Sequence, residues 1–360
     1  MPPRADPLEL SADDLDAVVA GVSLLGSGGG GDAATFAHLL RRRLAGGTLP
    51  LHPVEHVADG GFVVPIGVVG ATSVFTEKLP SGHEFVSSVA ALRRWTSRDV
   101  AAVMALEAGG LNGMSAMVAA LDLGLPLLDA DLMGRALPRL DQLAFAVEGL
   151  PVTPCAVCEP GGQTLIVDGV DAVGLERTVR AFLAEAGGWA VLALPPTPAE
   201  LVRAHAVVGS LGRALGLGRA HAALPGTPTA GDIEAALEGV VLATGRVLDV
   251  ARLGPARAFG RGSVTVVAVP SGAVVRVEAE NEYLLALRDG AVAASTPDLI
   301  CLLDRRTTAP IAVDRVRVGD EVVVAVLPGP AWWTSPHRLV QVAPRAFGLD
   351  CEPALLGGHA

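Results

Sequence analysis

Two carboxylates separated by one residue, Asp129 and Asp131, have the chemistry and the spacing of a catalytic or metal-binding pair. They follow a short apolar run that ends at Leu128, and side chains two residues apart in an extended chain point to the same side. Such a pair can bind a metal ion, or the two pKa values can separate so that one group acts as an acid and the other as a base. The structural alternative is that Asp131 caps the next helix and Asp129 accepts hydrogen bonds from backbone amides.

Three further charged residues are candidates for the same site. Glu77 and Lys78 are neighbours, so their side chains point to opposite faces of an extended strand. Glu77 is a candidate general base or metal ligand, and a surface ion pair is its alternative. Lys78 is a candidate for binding a substrate carboxylate. Arg135, in the loop that follows Asp131, suits a carboxylate or another substrate oxygen.

The glycine-rich segment Leu24–Asp32, with the sequence LLGSGGGGD, lies between an apolar run and an amphipathic run. Glycines in such a position indicate a positive φ or the close approach of another group, and we predict a positive φ at Gly29 or Gly30. At the start of a helix, the backbone amides of the segment could bind an anion or a polarised carbonyl. The candidate binding residues are Ser27, Gly28, Gly29, Gly30, Gly31 and Asp32.

Two other interpretations of this segment stay open. It loosely contains the G-x-G-x-x-G pattern of nucleotide-binding loops, but no Lys-Ser/Thr pair follows it, as phosphate chemistry would require. It could also be a tight turn that packs a helix against its neighbour.

A second glycine turn, Gly109-Gly110, lies between Glu107 and Asn112. This turn could place an amide beside a carbonyl group of the substrate. Gly110 and Asn112 are therefore further candidates for substrate binding.

The evidence for a metal site is limited to scattered ligands. The chain has no His-Glu-x-x-His and no His-x-His motif, and the pair Cys155-x-x-Cys158 has no partner pair. A divalent metal such as zinc would nevertheless make water nucleophilic at neutral pH. The candidate ligands are Asp129, Asp131, His83 and His221. For both histidines the alternative is a structural hydrogen bond.

Composition excludes several classes of partner. The 360 residues carry a net charge of −11, and no basic block is longer than Arg41–Arg43, which argues against nucleic acid. No charge-free apolar run reaches transmembrane length, so we expect no membrane association. The first ten residues, MPPRADPLEL, lack the pattern of a signal peptide, and we expect a cytoplasmic protein.

The hydrophobic pattern predicts two domains. Residues 1–168 alternate strands with helices, which favours an α/β domain with a largely parallel sheet and a site at the carboxyl ends of its strands. The strand 61–69 contains Pro65, which predicts an edge position or a bulge. Residues 169–360 form the second domain. It continues as α/β over 169–244 and becomes β-rich over 245–345, as a small barrel or sandwich.

Eight sequence segments resemble those of one family in their residues and in their order. Together they span nearly the whole length of the chain. They are LLGSGGGGD (24–32), TEKLPSG (76–82), LEAGGLNG (106–113), GLPLLDADLMGRALP (124–138), LPGT (224–227), ENEYLLA (280–286), PDLICLLD (297–304) and PRAFGLD (344–350). The family is that of the S-methyl thiohydantoin desulfurases. The resemblance implies an α/β N-terminal domain, a β-rich C-terminal domain and the hydrolytic removal of a sulfur substituent from a hydantoin-like ring. Family members often occur beside hydantoinase- and oxoprolinase-type proteins.

The leading hypothesis for the function is therefore a hydrolase that releases methanethiol from an S-methyl thiohydantoin-like ring, with Asp129, Asp131, Glu77 and Arg135 as its catalytic residues. The partner is then a small cyclic ureide or thio-ureide. One alternative is a hydantoinase-type cyclic amidohydrolase, which opens the ring. A second alternative is a non-catalytic subunit of a hydantoinase- or oxoprolinase-type complex. A homo-oligomer is also compatible with the sequence.

Overall fold

The computed structural model of the protein describes residues 6–71, 74, 77–253 and 261–357. The string TEKLPSG therefore begins, at Thr76, outside the described residues. The chain divides into two compact units. Unit 1 is composed of Met1–Val19, Gly31–Gly134 and Arg139–Arg213, and unit 2 of Ala20–Gly30, Arg135–Pro138 and Ala214–Ala360. The predicted boundary at residue 168 lies inside unit 1, and unit 2 includes two short segments of the N-terminal half.

The strands of unit 1 are short and mostly buried. They are β1 (Leu8–Ser11), β2 (Thr48–His52), β3 (Phe62–Gly70), β4 (Val100–Ala105), β5 (Leu127–Leu128), β6 (Ala130–Asp131), β7 (Cys155–Cys158), β8 (Thr164–Val167), β9 (Trp189–Ala193), β10 (Thr197–Pro198) and β11 (Val207–Val208).

Ten α-helices lie within the described ranges. They are α1 (Leu15–Leu25), α2 (Ala34–Arg43), α3 (Glu84–Thr96), α4 (Leu111–Leu123), α5 (Ala144–Val147), α6 (Ala172–Glu185), α7 (Ala199–His205), α8 (Ser210–Ala222), α9 (Ala230–Leu237) and α10 (Pro336–Leu339). The unit boundaries fall inside α1 and α8. Of the helices described, none combines the length and the apolar character that a bilayer crossing requires.

The main sheet of unit 1 is mixed, with a parallel centre. Its strand order is β1-β2-β5-β4-β3-β9-β7-β8, and β10 also pairs with β3. The strands β2, β5, β4 and β3 run parallel, whereas the other pairings are antiparallel. An α/β N-terminal domain is thus confirmed. The carboxyl ends of β3, β4 and β5 lie at one edge of this sheet, where α/β proteins place their ligands.

The predicted edge position of Pro65 is wrong, because β3 lies inside the sheet between β4 and β9. The predicted alternative, a bulge, has a counterpart nearby, since the register of the β3–β4 pairing shifts between Phe62 and Val63. Pro65 pairs with Met104 of β4 and accepts a hydrogen bond from the amide of Leu194 through its carbonyl. The neighbouring strand β9 ends at Ala193, one residue short of this position. In this register the N–H that proline lacks would face Leu194, one residue beyond the end of β9, so only a bond at the end of the β3–β9 ladder is lost.

Unit 2 is built on seven antiparallel strands that curl into half a barrel, which confirms the β-rich C-terminal domain. The strands are β12 (Val240–Leu253), β13 (Arg261–Ala268), β14 (Val274–Glu280), β15 (Glu282–Arg288), β16 (Ala291–Ser295), β17 (Leu299–Asp304) and β18 (Glu321–Leu327). Their order is β16-β15-β14-β13-β12-β18-β17. Alternating valines of β13, β14 and β18 form the core, with Tyr283 among them.

The glycine-rich segment joins two strands of unit 2 that are not paired with each other. The carbonyl of Ser27 accepts a hydrogen bond from the amide of Tyr283 on β15, at 2.7 Å. The Ser27 hydroxyl donates to the carbonyl of Ile300 on β17, at 2.9 Å, and accepts from the amide of Ile300, at 3.1 Å. Ser27 is fully buried. It therefore replaces a strand between β15 and β17.

The glycines of the segment allow a close approach to the same strands. A Cβ atom on Gly28 would lie 2.4 Å from the ring of Tyr283, and one on Gly29 would lie 2.3 Å from Oε1 of Glu282. Gly28 and Gly30 have positive φ values of 85° and 76°, so the prediction of a positive φ at Gly29 or Gly30 is confirmed at Gly30. These contacts give the segment a packing function.

We expect Gly28→Ala to destabilise unit 2, because the added Cβ would overlap the Tyr283 ring and because alanine is strained at this φ. The expected loss in the free energy of unfolding is about 1–3 kcal/mol, as for overpacked cores. Thermal unfolding measures it. Gly47→Ala is the matched control, since nothing lies within 4 Å of its Cβ position. Equal thermal midpoints for the two variants would contradict the packing function.

Candidate functional site

The carboxyl edge of the parallel strands in unit 1 is organised by Asn112, near the start of α4. β4 ends at Ala105, but β3 continues, so Val68 has no strand partner on that side. The Asn112 side chain replaces the strand. Its Oδ1 accepts from the amide of Val68 at 2.5 Å, and its Nδ2 donates to the carbonyl of Val68 at 2.9 Å. Asn112 is 5% exposed, and its position is therefore fixed by backbone hydrogen bonds.

Glu107 is held by the same amide. Nδ2 of Asn112 donates to Oε1 of Glu107 at 2.8 Å. Glu107 lies two residues after the end of β4 and is half-buried. The loop then turns through Gly110, whose backbone angles (φ 61°, ψ −142°) are accessible only to glycine, and α4 begins at Leu111. A carboxylate thus lies beside the N-terminus of a 13-residue helix, with one oxygen held by an amide donor.

Asp131 connects this loop to the next one. Its carboxylate accepts hydrogen bonds from the amide of Ala108, at 2.6 Å, and from the amide of Gly134, at 2.7 and 2.9 Å to its two oxygens. The Ser210 hydroxyl also bonds to it. Asp131 is fully buried, and burial raises its pKa to about 7, although these donors act in the opposite direction.

Asp129 binds the start of α8. Its Oδ1 accepts from the amides of Leu211 and Gly212, at 2.9 and 3.1 Å. Burial raises the pKa of this carboxyl, and the two amides lower it. Ser210 precedes these two residues and bonds to Asp131. The two aspartates therefore meet at one helix terminus. Asp129 accepts hydrogen bonds from backbone amides, as its structural alternative predicted, whereas Asp131 binds the amides of Ala108 and Gly134 and does not cap the next helix.

Glu77 and Lys78 differ in their exposure and in their contacts. Glu77 is exposed, whereas the ammonium of Lys78 lies 2.6 Å from a carboxylate oxygen of Glu159 and also donates to the carbonyl of Ala186. Glu159 is 5% exposed. Burial raises the pKa of Glu159, but the hydrogen bonds from Lys78 and from two backbone amides prevail, and the net pKa is lowered. Lys78 thus neutralises a buried acid.

Other predicted site residues belong to unit 2 or to the start of α2. Arg135 is fully buried in unit 2, and its Nη1 donates to the carbonyls of Pro297 and Asp298, at 3.1 and 2.8 Å. Gly31, with a φ of 77°, and Asp32 lie in unit 1. Asp32 accepts from the amide of Ala34, the first residue of α2. A binding function for these residues and for Ser27–Gly30 stays a prediction.

The candidate metal ligands do not form one cluster. His83 is exposed at the start of α3, and Nε2 of His221 lies 2.9 Å from the carbonyl of Thr308 in unit 2. Asp129 and Asp131 bind backbone amides. Across residues 6–71, 74, 77–253 and 261–357, no three His, Cys, Asp or Glu side chains are grouped as a metal site would need. The side chains within these ranges do not fit a metal ion.

Glu107 is the residue that sequence reasoning did not place among the catalytic candidates. The signal was present, because Glu107 is the first polar side chain after the buried strand β4, at the edge where ligands bind. The bond between Ser210 and Asp131 had no signal in the sequence, since 79 positions separate the two residues.

The family follows from two matches that together span the chain. Residues 13–169 match the S-Me-THD-like N-terminal domain, and residues 170–354 match the S-Me-THD-like C-terminal domain. The chain belongs to the S-Me-THD-like family. This result confirms the resemblance to the S-methyl thiohydantoin desulfurases.

This S-Me-THD-like protein is also similar to a solved structure. A structural-genomics target from Chromobacterium violaceum shares 25% sequence identity with it, at a TM-score of 0.78. The alignment covers 98% of this chain and 99% of the other. No curated protein matches the chain. Family membership supports a function related to thiohydantoins without fixing the reaction.

We expect Asp131→Asn to destabilise this S-Me-THD-like protein, because the new NH2 group would face the amide of Ala108 or of Gly134. The expected loss in the free energy of unfolding is about 1–3 kcal/mol, as for a buried polar group left unsatisfied. Thermal unfolding measures it, and the exposed Asp13→Asn is the control.

The difference in stability between wild type and Asp131→Asn should depend on pH. Since the pKa of Asp131 is raised from 3.8 to about 7, the folded state keeps a proton that the unfolded state loses. The stabilisation from Asp131 is therefore complete below about pH 4 and is lost as the pH rises to about 7. Asparagine does not titrate, so the difference in thermal midpoint between wild type and Asp131→Asn should shrink over this range. A difference that grows with pH would mean that the amides outweigh burial.

Proposed function

We propose that the protein is a hydrolase that removes the sulfur substituent from an S-methyl thiohydantoin-type ring and leaves a hydantoin. The observation that carries this proposal is the Glu107 carboxylate, held by Asn112 at the carboxyl edge of the parallel strands. This arrangement occurs in a chain whose two parts match S-Me-THD-like domains. The substrate class is a small cyclic thio-ureide.

The reaction is a hydrolysis that balances without an oxidant or a reductant. The oxygen of water forms a bond to the ring carbon that bears sulfur. The carbon–sulfur bond then breaks, and its electron pair leaves with the sulfur. One proton of water ends on the sulfur, as methanethiol, and the other on the ring nitrogen. The ring carbon thereby becomes a carbonyl carbon of the hydantoin.

This reaction needs a base for the attacking water and a positive potential for the charge that develops on nitrogen and sulfur. The N-terminus of α4 lies at the proposed site, and the partial positive charge of its backbone amides suits the second requirement. Asp131 and Asp129 support the loops around the site through hydrogen bonds to backbone amides. Substrate contacts by Glu77, Lys78 or Arg135 stay predictions.

We expect the purified protein to release methanethiol from an S-methyl thiohydantoin and to produce the matching hydantoin in equal amount. A thiol reagent measures the first product, and mass spectrometry measures the second. In H2(18O) the hydantoin should gain one labelled oxygen, because water supplies the new carbonyl oxygen. Heat-denatured protein provides the background rate.

Two results would contradict this function. Opening of the ring without thiol release would favour a cyclic amidohydrolase. An absence of turnover, together with stable binding to a hydantoinase-type subunit, would favour a non-catalytic partner subunit.

A further inference from the structure

We propose that Glu107 is the base that takes a proton from the attacking water and that Asn112 is the residue that positions it. This inference rests on the proposed hydrolysis and names the groups that would carry out its proton transfer. It is independent of the Asp129–Asp131 pair, which sequence spacing had favoured for this task.

The orientation of the Asn112 amide is determined by its neighbours. The Val68 amide is a donor and must face Oδ1, whereas the Val68 carbonyl is an acceptor and must face Nδ2. The second hydrogen of Nδ2 then points to Oε1 of Glu107, at 2.8 Å. Reversing the amide would oppose oxygen to two acceptors and nitrogen to a donor, so this orientation is the only one that satisfies every group.

The hydrogen bond from Asn112 holds the Glu107 carboxylate in one orientation, as a base that acts on a water molecule requires. The N-terminus of α4 lies beside the same carboxylate. Glu107 is half-buried, so its carboxylate combines a fixed position with access to water. The adjacent residue, Ala108, is bound by Asp131, which limits movement of the loop.

The other acids of the site are less suited to this task. Asp131 is fully buried and accepts hydrogen bonds from two amides, and Asp129 is bonded to the start of α8. Glu159 is paired with Lys78. Asp131 and Glu159 are buried, whereas Glu107 is half-buried and can contact water.

In the proposed step, the water oxygen bonds to the ring carbon while one water proton passes to the Glu107 carboxylate. The carbon–sulfur bond then breaks, and the Glu107 carboxyl returns the proton to the leaving sulfur. Glu107 ends in its initial state, and the second water proton moves to the ring nitrogen. The products are those of the proposed hydrolysis.

The first test is Glu107→Gln, which keeps the size of the side chain and removes its basicity. We expect kcat/KM for methanethiol release to fall about 10²–10⁴-fold, the range for loss of a general base, with little change in the thermal midpoint. Glu185→Gln, at an exposed position at the end of α6, is the matched control and should keep wild-type kinetics.

In Glu107→Ala, added formate should restore part of the lost rate. An active wild type with an equally active Glu107→Gln variant would overturn this inference alone, whereas an inactive wild type would refute the proposed function.

The second test asks whether Asn112 positions Glu107 or only supports the fold. We expect kcat for methanethiol release to fall about tenfold or more in Asn112→Ala with KM little changed, because the Glu107 carboxylate loses the donor that holds it in place. In the Glu107→Gln background the same substitution should have little further effect, because the two residues would act as one unit. An equal loss of kcat in both backgrounds, in folded variants, would overturn the positioning function. If Asn112→Ala does not fold, Ser115→Ala removes only the hydroxyl that contacts Asn112, and a smaller loss of kcat, again absent in the Glu107→Gln background, is expected.

Discussion

The candidate site of unit 1 depends on one constraint, which is that β3 continues past the end of its parallel neighbour β4. Buried backbone groups must find hydrogen-bond partners, and Val68 finds both of its partners in the side chain of Asn112. This requirement brings the start of α4 against β3 and explains the glycine at position 67, where a Cβ would lie 2.7 Å from Leu106 and 2.8 Å from Oδ1 of Asn112. Glu107 is held in place as a result, because Nδ2 of Asn112 has one more hydrogen to donate.

A similar constraint explains the glycine-rich segment. The curled sheet of unit 2 leaves β15 and β17 without a common partner, and Ser27 bonds to both. Only residues without a Cβ can follow it closely over Tyr283 and Glu282. The packing of the glycine-rich segment therefore explains its glycines. The proposed reaction centre lies instead at the shorter glycine turn that precedes α4. In both units a side chain or a loop replaces a missing strand.

Sequence patterns predicted the features that depend on local periodicity. The alternation of strands and helices in the N-terminal half, the antiparallel texture after Gly245 and the positive φ at Gly30 all follow from short-range preferences. The partners of the polar groups could not be predicted in this way. Asp129 bonds to amides 82 and 83 positions away, and Ser27 bonds to Ile300, 273 positions away. The two-residue spacing predicted that the two aspartates lie together. Only their hydrogen-bond partners show that both carboxylates bind backbone amides. The edge position predicted for Pro65 was wrong for a related reason. The sheet accepts a proline at this position because β9 ends beside it, and the end of β9 is not visible in the local sequence.

The proposed reaction takes place beside Glu107. A crystal structure of the Glu107→Gln variant with an S-methyl thiohydantoin bound would test this location most directly. We predict that the sulfur-bearing ring carbon lies within about 4 Å of the side chain at position 107, the reach of a base that acts on a water molecule or through it. A ring bound against the glycines at positions 28–31, with residue 107 remote from it, would contradict the proposed location.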